Sequence, residues 1–174
     1  MSTPAHLPLQ ARRATVQDAA AIRALIDRYV PSGTLLPRTQ EFITLHAQDF
    51  IVAVANEHVV GCVHLDEYAP SLAELRSLAV DPAYQGSGIG RLLVRATERL
   101  AHVRGNATLF AVSNDEEFFR RFGFERRHIP ELDLERSEVS RYKGVYAKDL
   151  PAPVYERVYN RANDARYSEK SQLS

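Results

Sequence analysis

The sequence has little of several things, and each shortage excludes a class of protein. Cys62 is the only cysteine among 174 residues, so we expect no intrachain disulfide and no metal site built on cysteine. The net charge is zero, from 22 basic and 22 acidic side chains, which gives no electrostatic footprint for nucleic acid or for an anionic membrane. No apolar run approaches bilayer length, and the N-terminus lacks the apolar core of a signal peptide. We therefore expect a soluble, cytoplasmic protein with neither nucleic acid nor membrane as a partner.

The histidines add no sign of a metal site. His46, His58, His102 and His128 fall at predicted helix ends or turns, with no metal-ligand spacing among them. His64 lies in a predicted strand, where we interpret it as a structural histidine. We therefore expect no bound metal.

What the sequence does contain is a glycine-rich turn between a strand pattern and a helix pattern. The turn reads Gln85-Gly86-Ser87-Gly88-Ile89-Gly90, and residues 91–100 after it are apolar at helical spacing. Glycine lets a backbone turn tightly and approach a ligand closely. A helix N-terminus adds amides without intrahelical partners and the positive end of the helix dipole, both of which attract phosphate. The residues therefore indicate a pyrophosphate-binding turn, although a structural glycine turn has the same local pattern.

The spacing of these glycines separates them from two common phosphate motifs. A P-loop needs Gly-Lys-Ser/Thr and a dinucleotide-binding turn needs Gly-x-Gly-x-x-Gly, and the turn has neither. It matches Gln/Arg-x-x-Gly-x-Gly/Ala, and residues 74–100 resemble the core of the GNAT acetyltransferase superfamily. This resemblance implies acetyl-CoA as cosubstrate. It also implies which residues contact acetyl-CoA: Leu78, Ala79 and Val80 on the pantetheine arm, and Gln85, Gly86, Ser87, Gly88, Ile89, Gly90 and Arg91 on the pyrophosphate.

The periodicity of apolar residues predicts the element order β-α-α-β-β-β-α-β-α-β-β, which is the order of the GNAT fold. We therefore expect an α/β (α+β) fold with a mixed, mostly antiparallel central sheet and helices on both faces. Residues 1–150 form the predicted acetyltransferase domain. Residues 151–174 form a predicted C-terminal extension, partly ordered or packed on the domain or on a partner.

Two finer predictions concern packing. Gly61, within a predicted strand, marks either a bulge or a close approach of two backbones. A short helix that begins near Thr39 is expected to turn Phe42, Ile43 and Leu45 towards the core.

Acetyl transfer to an amine needs a base for the ammonium proton, donors for the oxyanion and a proton for the leaving thiolate. Glu74, on the predicted fourth strand, is one candidate base; its other interpretation is a solvated strand glutamate. Ser113 ends the predicted fifth strand, where the neighbouring strand is expected to diverge. It is a candidate proton donor, and its other interpretation is a turn or helix-cap residue. Phe118 and Phe119 have no proton to donate and are predicted core aromatics.

A narrower resemblance covers roughly residues 10–150. It rests on Leu35-Leu36-Pro37-Arg38-Thr39, Gly61-Cys62, Ala73-Glu74-Leu75, Leu109-Phe110-Ala111-Val112-Ser113 and Phe118-Phe119-Arg120-Arg121-Phe122-Gly123-Phe124. These segments look like the acetyltransferase domain of the N-acetylglutamate synthase family. The resemblance implies that Glu74 is the general base, that Ser113 is the general acid, and that Arg38 and Arg141 bind the carboxylates of the acceptor. Guanidinium groups bind carboxylates bidentately, which agrees with that role, although either arginine also fits a surface ion pair.

The sequence thus predicts an N-acetyltransferase that moves an acetyl group from acetyl-CoA to the α-amine of a small amino acid. The resemblance favours L-glutamate as acceptor, direct transfer in a ternary complex and a place in arginine biosynthesis. Two alternatives stay open: a GNAT acetyltransferase for another small amine or a protein N-terminus, and a non-catalytic acyl-CoA-binding module. Paired arginines argue against cationic acceptors, and the presence of Glu74 and Ser113 argues against the module. The sequence leaves formation of a homodimer open.

Overall fold

The computed structural model describes residues 8–132 and 143–152 of the chain. In those residues seven strands form one sheet, with four α-helices around it. The elements along the chain are β1 Gln10–Arg13, α1 Ala19–Asp27, α2 Gln40–Leu45, β2 Phe50–Ala55, β3 His58–Ala69, β4 Leu72–Val80, α3 Ile89–Val103, β5 Thr108–Ser113, α4 Glu116–Arg120, β6 Glu125–Arg126 and β7 Gly144–Asp149. The strands lie in the order β1-β2-β3-β4-β5-β7-β6, and among the described residues only β4 and β5 pair in parallel. The predicted element order and the mixed, mostly antiparallel sheet are confirmed.

Helices cover both faces of the sheet, as predicted, because successive side chains of a strand point to opposite sides. In β2, Ile51 and Ala53 pack with α3 in one apolar cluster. Phe50 and Val52 pack with α1 and α2 in a second cluster on the other face, which also contains Ile22 of α1.

The bulge predicted at Gly61 is present at the neighbouring Val60, and the close approach at Gly61 is to a side chain rather than to a second backbone. The β2–β3 register pairs Ala53 with Gly61 and Val54 with Val59, so Val60 is the extra residue of a bulge. A Cβ atom built on Gly61 would lie 2.7 Å from Cγ2 of Ile89, the first residue of α3. The absence of a side chain at Gly61 therefore lets α3 begin directly against β3.

The expectation that Leu45 turns inward is wrong. Thr39 caps α2 by accepting a hydrogen bond from Phe42 N at 3.1 Å, and Ile43 is buried, but Leu45 is 81% exposed. Two residues of helix amount to about 200° of rotation, so Leu45 lies opposite Ile43 on the helix.

The remaining expectations about organisation fall largely outside the described residues. Of the extension, only Pro151 and Ala152 are described, so its packing stays a prediction. Over residues 8–132 and 143–152, no helix combines the length and the hydropathy needed to cross a bilayer.

Candidate active site

The site lies where two parallel strands diverge. β4 and β5 pair only over three rungs, the last of which joins Glu74 and Phe110. Beyond that rung the strands separate, as predicted for the Ser113 end of β5, and β5 continues to pair with β7 as far as Ser113 and Gly144. A cavity of about 960 Å³ occupies the gap and is lined by residues of both strands, of the glycine turn and of the α1–α2 connection.

A bulge in β4 shapes one wall of this cavity. Between the pairs Cys62–Ala79 and His64–Arg76, two residues of β4, Ser77 and Leu78, face a single residue of β3. Ser77 has a φ of +52°, which non-glycine residues seldom adopt. The bulge breaks the regular alternation of the strand, so that Ser77 and Leu78 both line the cavity, together with Val80. Ala79 is buried and is not part of the cavity wall, so the expected contact of its backbone with the pantetheine arm stays a prediction.

The glycine turn has the backbone geometry expected of a phosphate-binding turn. Gly86 and Gly88 have φ values of +81° and +84°, the left-handed region that favours glycine, and Gly88 is the N-cap of α3. The first intrahelical bond runs from Leu92 N to Gly88 O at 3.0 Å, so the four amides from Gly88 to residue 91 have no partner within the helix. The third glycine differs, because Gly90 is an ordinary helical residue whose added Cβ would lie 3.4 Å from the Phe118 ring.

The side chains of the turn divide between the cavity and the protein. The residues of the turn that line the cavity are Gln85, Gly86, Gly88, Ile89, Gly90 and Arg91. Ser87 does not line it, and its hydroxyl donates to Tyr84 O. Gln85 Nε2 donates to the hydroxyl of Tyr29 at 3.0 Å, and that hydroxyl donates to Val80 O. Tyr29 thus connects the end of α1, the end of β4 and the glycine turn. No motif in the sequence indicated this role for Tyr29.

Glu74 is not a solvated strand residue, because it is only 1% exposed and lies on the last β4–β5 rung at the cavity. Arg76 lies beside it, with its Nε 3.8 Å from Glu74 Oε2. The same guanidinium donates to Asp66 Oδ2 at 3.0 Å. Arg76 therefore lies between two carboxylates at the wall of the cavity, and this arrangement was not predicted from the sequence.

Ser113 lines the cavity and is also a turn residue. Its Oγ accepts a hydrogen bond from Asp115 N at 3.0 Å, while the Asp115 side chain caps α4 by accepting from Phe118 N at 3.1 Å. A hydroxyl that accepts through a lone pair keeps its own hydrogen for donation. The turn contact therefore orients Ser113 without using its proton. The two phenylalanines of α4 are apolar, as predicted: Phe119 is buried, and Phe118 is partly buried at the cavity.

Arg38 lies in the opposite wall, in the connection between α1 and α2. Its guanidinium lies over the Phe42 ring, 5.4 Å from the ring centroid, and donates to Pro37 O at 3.2 Å. Lys143, just before β7, also lines the cavity and donates to the carbonyl oxygens of Gly33 and Thr34 at 3.3 and 3.2 Å. Arg141, the second predicted carboxylate ligand, lies outside the described residues.

The cavity concentrates positive charge that the whole chain does not have. Among the described residues its lining contains five basic side chains and two acidic ones: Arg38, Arg76, Arg91, Arg121 and Lys143 against Glu74 and Asp115. This excess of basic side chains suits an anionic ligand.

The thiol of Cys62 lies outside the lining and donates to Ser77 O at 3.5 Å. Burial raises the pKa of this thiol to about 12. Cys62 therefore stays protonated at neutral pH.

Comparison with known proteins gives one consistent result. Residues 46–126 match the acetyltransferase (GNAT) domain. The chain is 37% identical over 123 residues to an uncharacterised N-acetyltransferase of Chlorobaculum tepidum, an alignment that covers 69% of this chain and 79% of the relative. It is also 37% identical over 121 residues to the amino-acid acetyltransferase of Mycobacterium tuberculosis, covering 65% of this chain and 66% of that protein.

A solved structure agrees with the sequence relatives. The structure of N-acetylglutamate synthase from Neisseria gonorrhoeae, complexed with coenzyme A and N-acetyl-glutamate, superimposes with a TM-score of 0.75 at 28% identity. The similarity covers 83% of this chain but only 35% of that one. The chain therefore spans about a third of this synthase and about two thirds of the mycobacterial relative.

Proposed function

The chain belongs to the GNAT family of acetyltransferases, and on that premise we propose that it acetylates the α-amine of a small amino acid, L-glutamate fitting the site best. One observation supports the proposal above the others. A single cavity joins a helix N-terminus with a glycine turn, a buried carboxylate, a serine hydroxyl and an excess of basic side chains. Acetyl transfer to an anionic amine acceptor needs these groups together.

The glycine turn fits the pyrophosphate of acetyl-CoA. A Cβ atom built on Gly86 or Gly88 meets nothing within 4 Å, so open space adjoins the backbone of both residues. The amides at the start of the 15-residue helix α3 supply donors and the positive end of the helix dipole. Leu78 and Val80, beside the bulge at Ser77, offer backbone groups to the pantetheine arm. The gonococcal synthase, which superimposes on the chain, is described in complex with coenzyme A.

Glu74 is the proposed general base. The α-ammonium of the acceptor gives its proton to the Glu74 carboxylate, directly or through water, and the freed amine lone pair attacks the acetyl carbon. Arg76, 3.8 Å from that carboxylate, restrains its orientation. As the carbon–sulfur bond breaks, the Ser113 hydroxyl donates its proton to the departing thiolate. It regains a proton, through solvent, from the nitrogen, which loses its second proton as the amide forms, and Glu74 releases the first proton to solvent. The acetyl group passes straight to the amine, because the only cysteine is buried and protonated.

Arg38 and Arg141 are the proposed ligands of the acceptor carboxylates. Glutamate has two carboxylates, and each planar guanidinium can bind one of them through two hydrogen bonds. Arg38 lines the cavity in its place over Phe42. Lys143 adds positive charge to the same region, which disfavours cationic acceptors such as polyamines. The gonococcal synthase is described with N-acetyl-glutamate bound, which supports the choice of glutamate.

The test is a thiol-release assay with acetyl-CoA against the free amino acids, spermidine and a peptide with a free N-terminus. We expect glutamate to give the fastest release and N-acetyl-glutamate to be the product by mass spectrometry. Faster release with spermidine or the peptide would overturn the acceptor and leave the family assignment intact. Acetyl-CoA binding without turnover of any acceptor would favour a non-catalytic acyl-CoA-binding module.

A further inference from the structure

A second group of polar side chains lies outside the cavity, where α2 leads into β2. His46 is the C-terminal cap of α2, Asp49 immediately precedes β2, and His64 lies in β3 opposite Phe50. One ligand atom from each of these three residues lies within 4.8 Å of the other two. None of the three lines the acetyl-transfer cavity. The fold thus brings together residues that the sequence reasoning had considered one at a time.

The separation of the first two ligands already suits a metal ion. His46 Nδ1 lies 3.4 Å from Asp49 Oδ2. Two neighbouring ligands of a tetrahedral zinc ion, at bond lengths of about 2.0–2.1 Å, are separated by roughly 3.3–3.4 Å. Binding of a metal between them therefore requires little movement of His46 and Asp49.

His64 has a buried ring nitrogen that lacks a hydrogen-bond partner among the described residues, and an ion pair between His46 and Asp49 does not account for it. Its side chain is buried and stacks on Phe50, with ring centroids 4.4 Å apart and an angle of 6° between the planes. Its Nδ1 is fully buried and has no hydrogen-bond partner among the residues that the structure describes. Buried polar atoms nearly always have a partner. An ion bound between His46, Asp49 and His64 accounts for a buried imidazole that lies beside two other possible metal ligands.

Neighbouring side chains hold the ligands in place. Arg104 Nη1 lies 2.8 Å from Asp49 Oδ1, which leaves Oδ2 directed to His46. The Phe42 ring lies against His46, with 4.4 Å between the ring centroids. Outer partners of this kind orient metal ligands and are as much a part of a metal site as the ligands themselves.

We propose that His46, Asp49 and His64 form a binding site for a divalent transition-metal ion, with Zn²⁺ as the ion that the donor set fits best. Two imidazoles and one carboxylate are borderline-soft ligands typical of zinc, and the fourth tetrahedral position is left for water. An ion bound there links the C-terminal end of α2 to β2 and β3. It therefore stabilises the face of the sheet on which α1 and α2 pack.

The experiment uses the full chain, freed of metal with a chelator and then dialysed. We expect one Zn²⁺ per chain by elemental analysis after titration and gel filtration. Co²⁺ at the same site should give the visible absorption of a tetrahedral complex, which Zn²⁺ then abolishes. Addition of Zn²⁺ should also raise the Tm, because an ion that binds only the folded state stabilises it.

Two ligand variants and one control locate the site. His64→Leu keeps the volume of a buried side chain without a ligand, and His46→Gln changes a half-buried residue at a helix end. Each should weaken Zn²⁺ binding by at least the ~100-fold that loss of an outer partner can cost. His58→Gln, at the exposed first residue of β3, should bind like the wild type. The proposal would be overturned if the wild type bound less than one Zn²⁺ per chain, or if both ligand variants bound Zn²⁺ as tightly as the wild type.

Discussion

Gly61→Ala is the substitution whose outcome depends most directly on the packing described here. In a strand, replacing glycine with alanine stabilises by about 0.4–1 kcal/mol when the backbone permits it, since the unfolded chain loses freedom. At Gly61, however, the new Cβ lies 2.7 Å from Ile89 Cγ2, 3.0 Å from Leu93 Cδ1 and 3.4 Å from Ala79 O. The Ile89 methyl is attached directly to Cβ and cannot swing away as the end of a long side chain can. We therefore expect Gly61→Ala to destabilise the protein rather than to stabilise it.

The size of the loss follows from the cost of overpacking. An extra methyl in a packed core typically costs about 1–3 kcal/mol, and each kcal/mol lowers the Tm of a chain of this length by about 2–4 °C. We therefore expect Gly61→Ala to lower the Tm by roughly 2–12 °C. Because Ile89 begins α3 directly after Gly88, its displacement also moves the amides of the turn. The Kd for acetyl-CoA should rise by up to about tenfold, which corresponds to roughly 1.4 kcal/mol.

Thermal unfolding and calorimetric titration with acetyl-CoA measure both effects, and Ile89→Leu tests their cause. Leucine lacks the Cγ2 methyl at nearly the same volume, so Gly61→Ala with Ile89→Leu should recover at least about 0.5 kcal/mol relative to the sum of the single changes. Gly88→Ala is the contrasting control, because its cost of roughly 1–2 kcal/mol comes from a left-handed backbone and Ile89→Leu should not relieve it. A Gly61→Ala variant as stable as the wild type, or one that Ile89→Leu does not rescue, would refute the packing argument.

Three further predictions concern the proposed chemistry. Glu74→Gln and Ser113→Ala should each lower kcat by roughly 10²–10⁴-fold in steady-state assays while acetyl-CoA affinity is retained; near wild-type turnover in both would return them to structural roles. Arg38→Ala should raise the KM for glutamate by an amount equivalent to about 2–5 kcal/mol, with only partial rescue by Arg38→Lys; an unchanged KM would remove Arg38 from the acceptor site. Cys62→Ala should keep full activity, and accumulation of an acetylated Cys62 during turnover, detected by mass spectrometry, would contradict direct transfer.

The elements of the fold were predictable because their signals are local. Apolar residues at period 2 or at helical spacing mark strands and helices over a few residues each, and the structure follows that order. The glycine turn was equally readable, since positive φ at Gly86 and Gly88 is a demand on the residue type itself. The divergence of β4 and β5 was predicted from the family resemblance rather than from any property of Ser113.

Two features missed from the sequence depend on contacts between distant segments. Ser77 adopts a positive φ in the middle of a strand, and nothing about serine indicates a bulge there. The contact of Gln85 with Tyr29 joins residues 56 positions apart. No periodicity within one element predicts these two arrangements. The exposure of Leu45 is a different case, because the helical rotation of about 200° from the buried Ile43 accounts for it.

The structure also explains why the proposed base and the proposed phosphate site stand on different kinds of backbone. Glu74 is on the last rung that β4 shares with β5, so hydrogen-bonded strands fix its backbone while its side chain faces the opening. A group that moves a proton has to be held within a few tenths of an ångström, and rigid elements achieve that better than loops. The pyrophosphate site makes the opposite demand, because a ligand must reach bare backbone amides, and Gly86 and Gly88 provide that approach where α3 begins. Gly61 fixes the position of the start of α3 against β3. A residue outside the cavity therefore controls the geometry of the glycine turn.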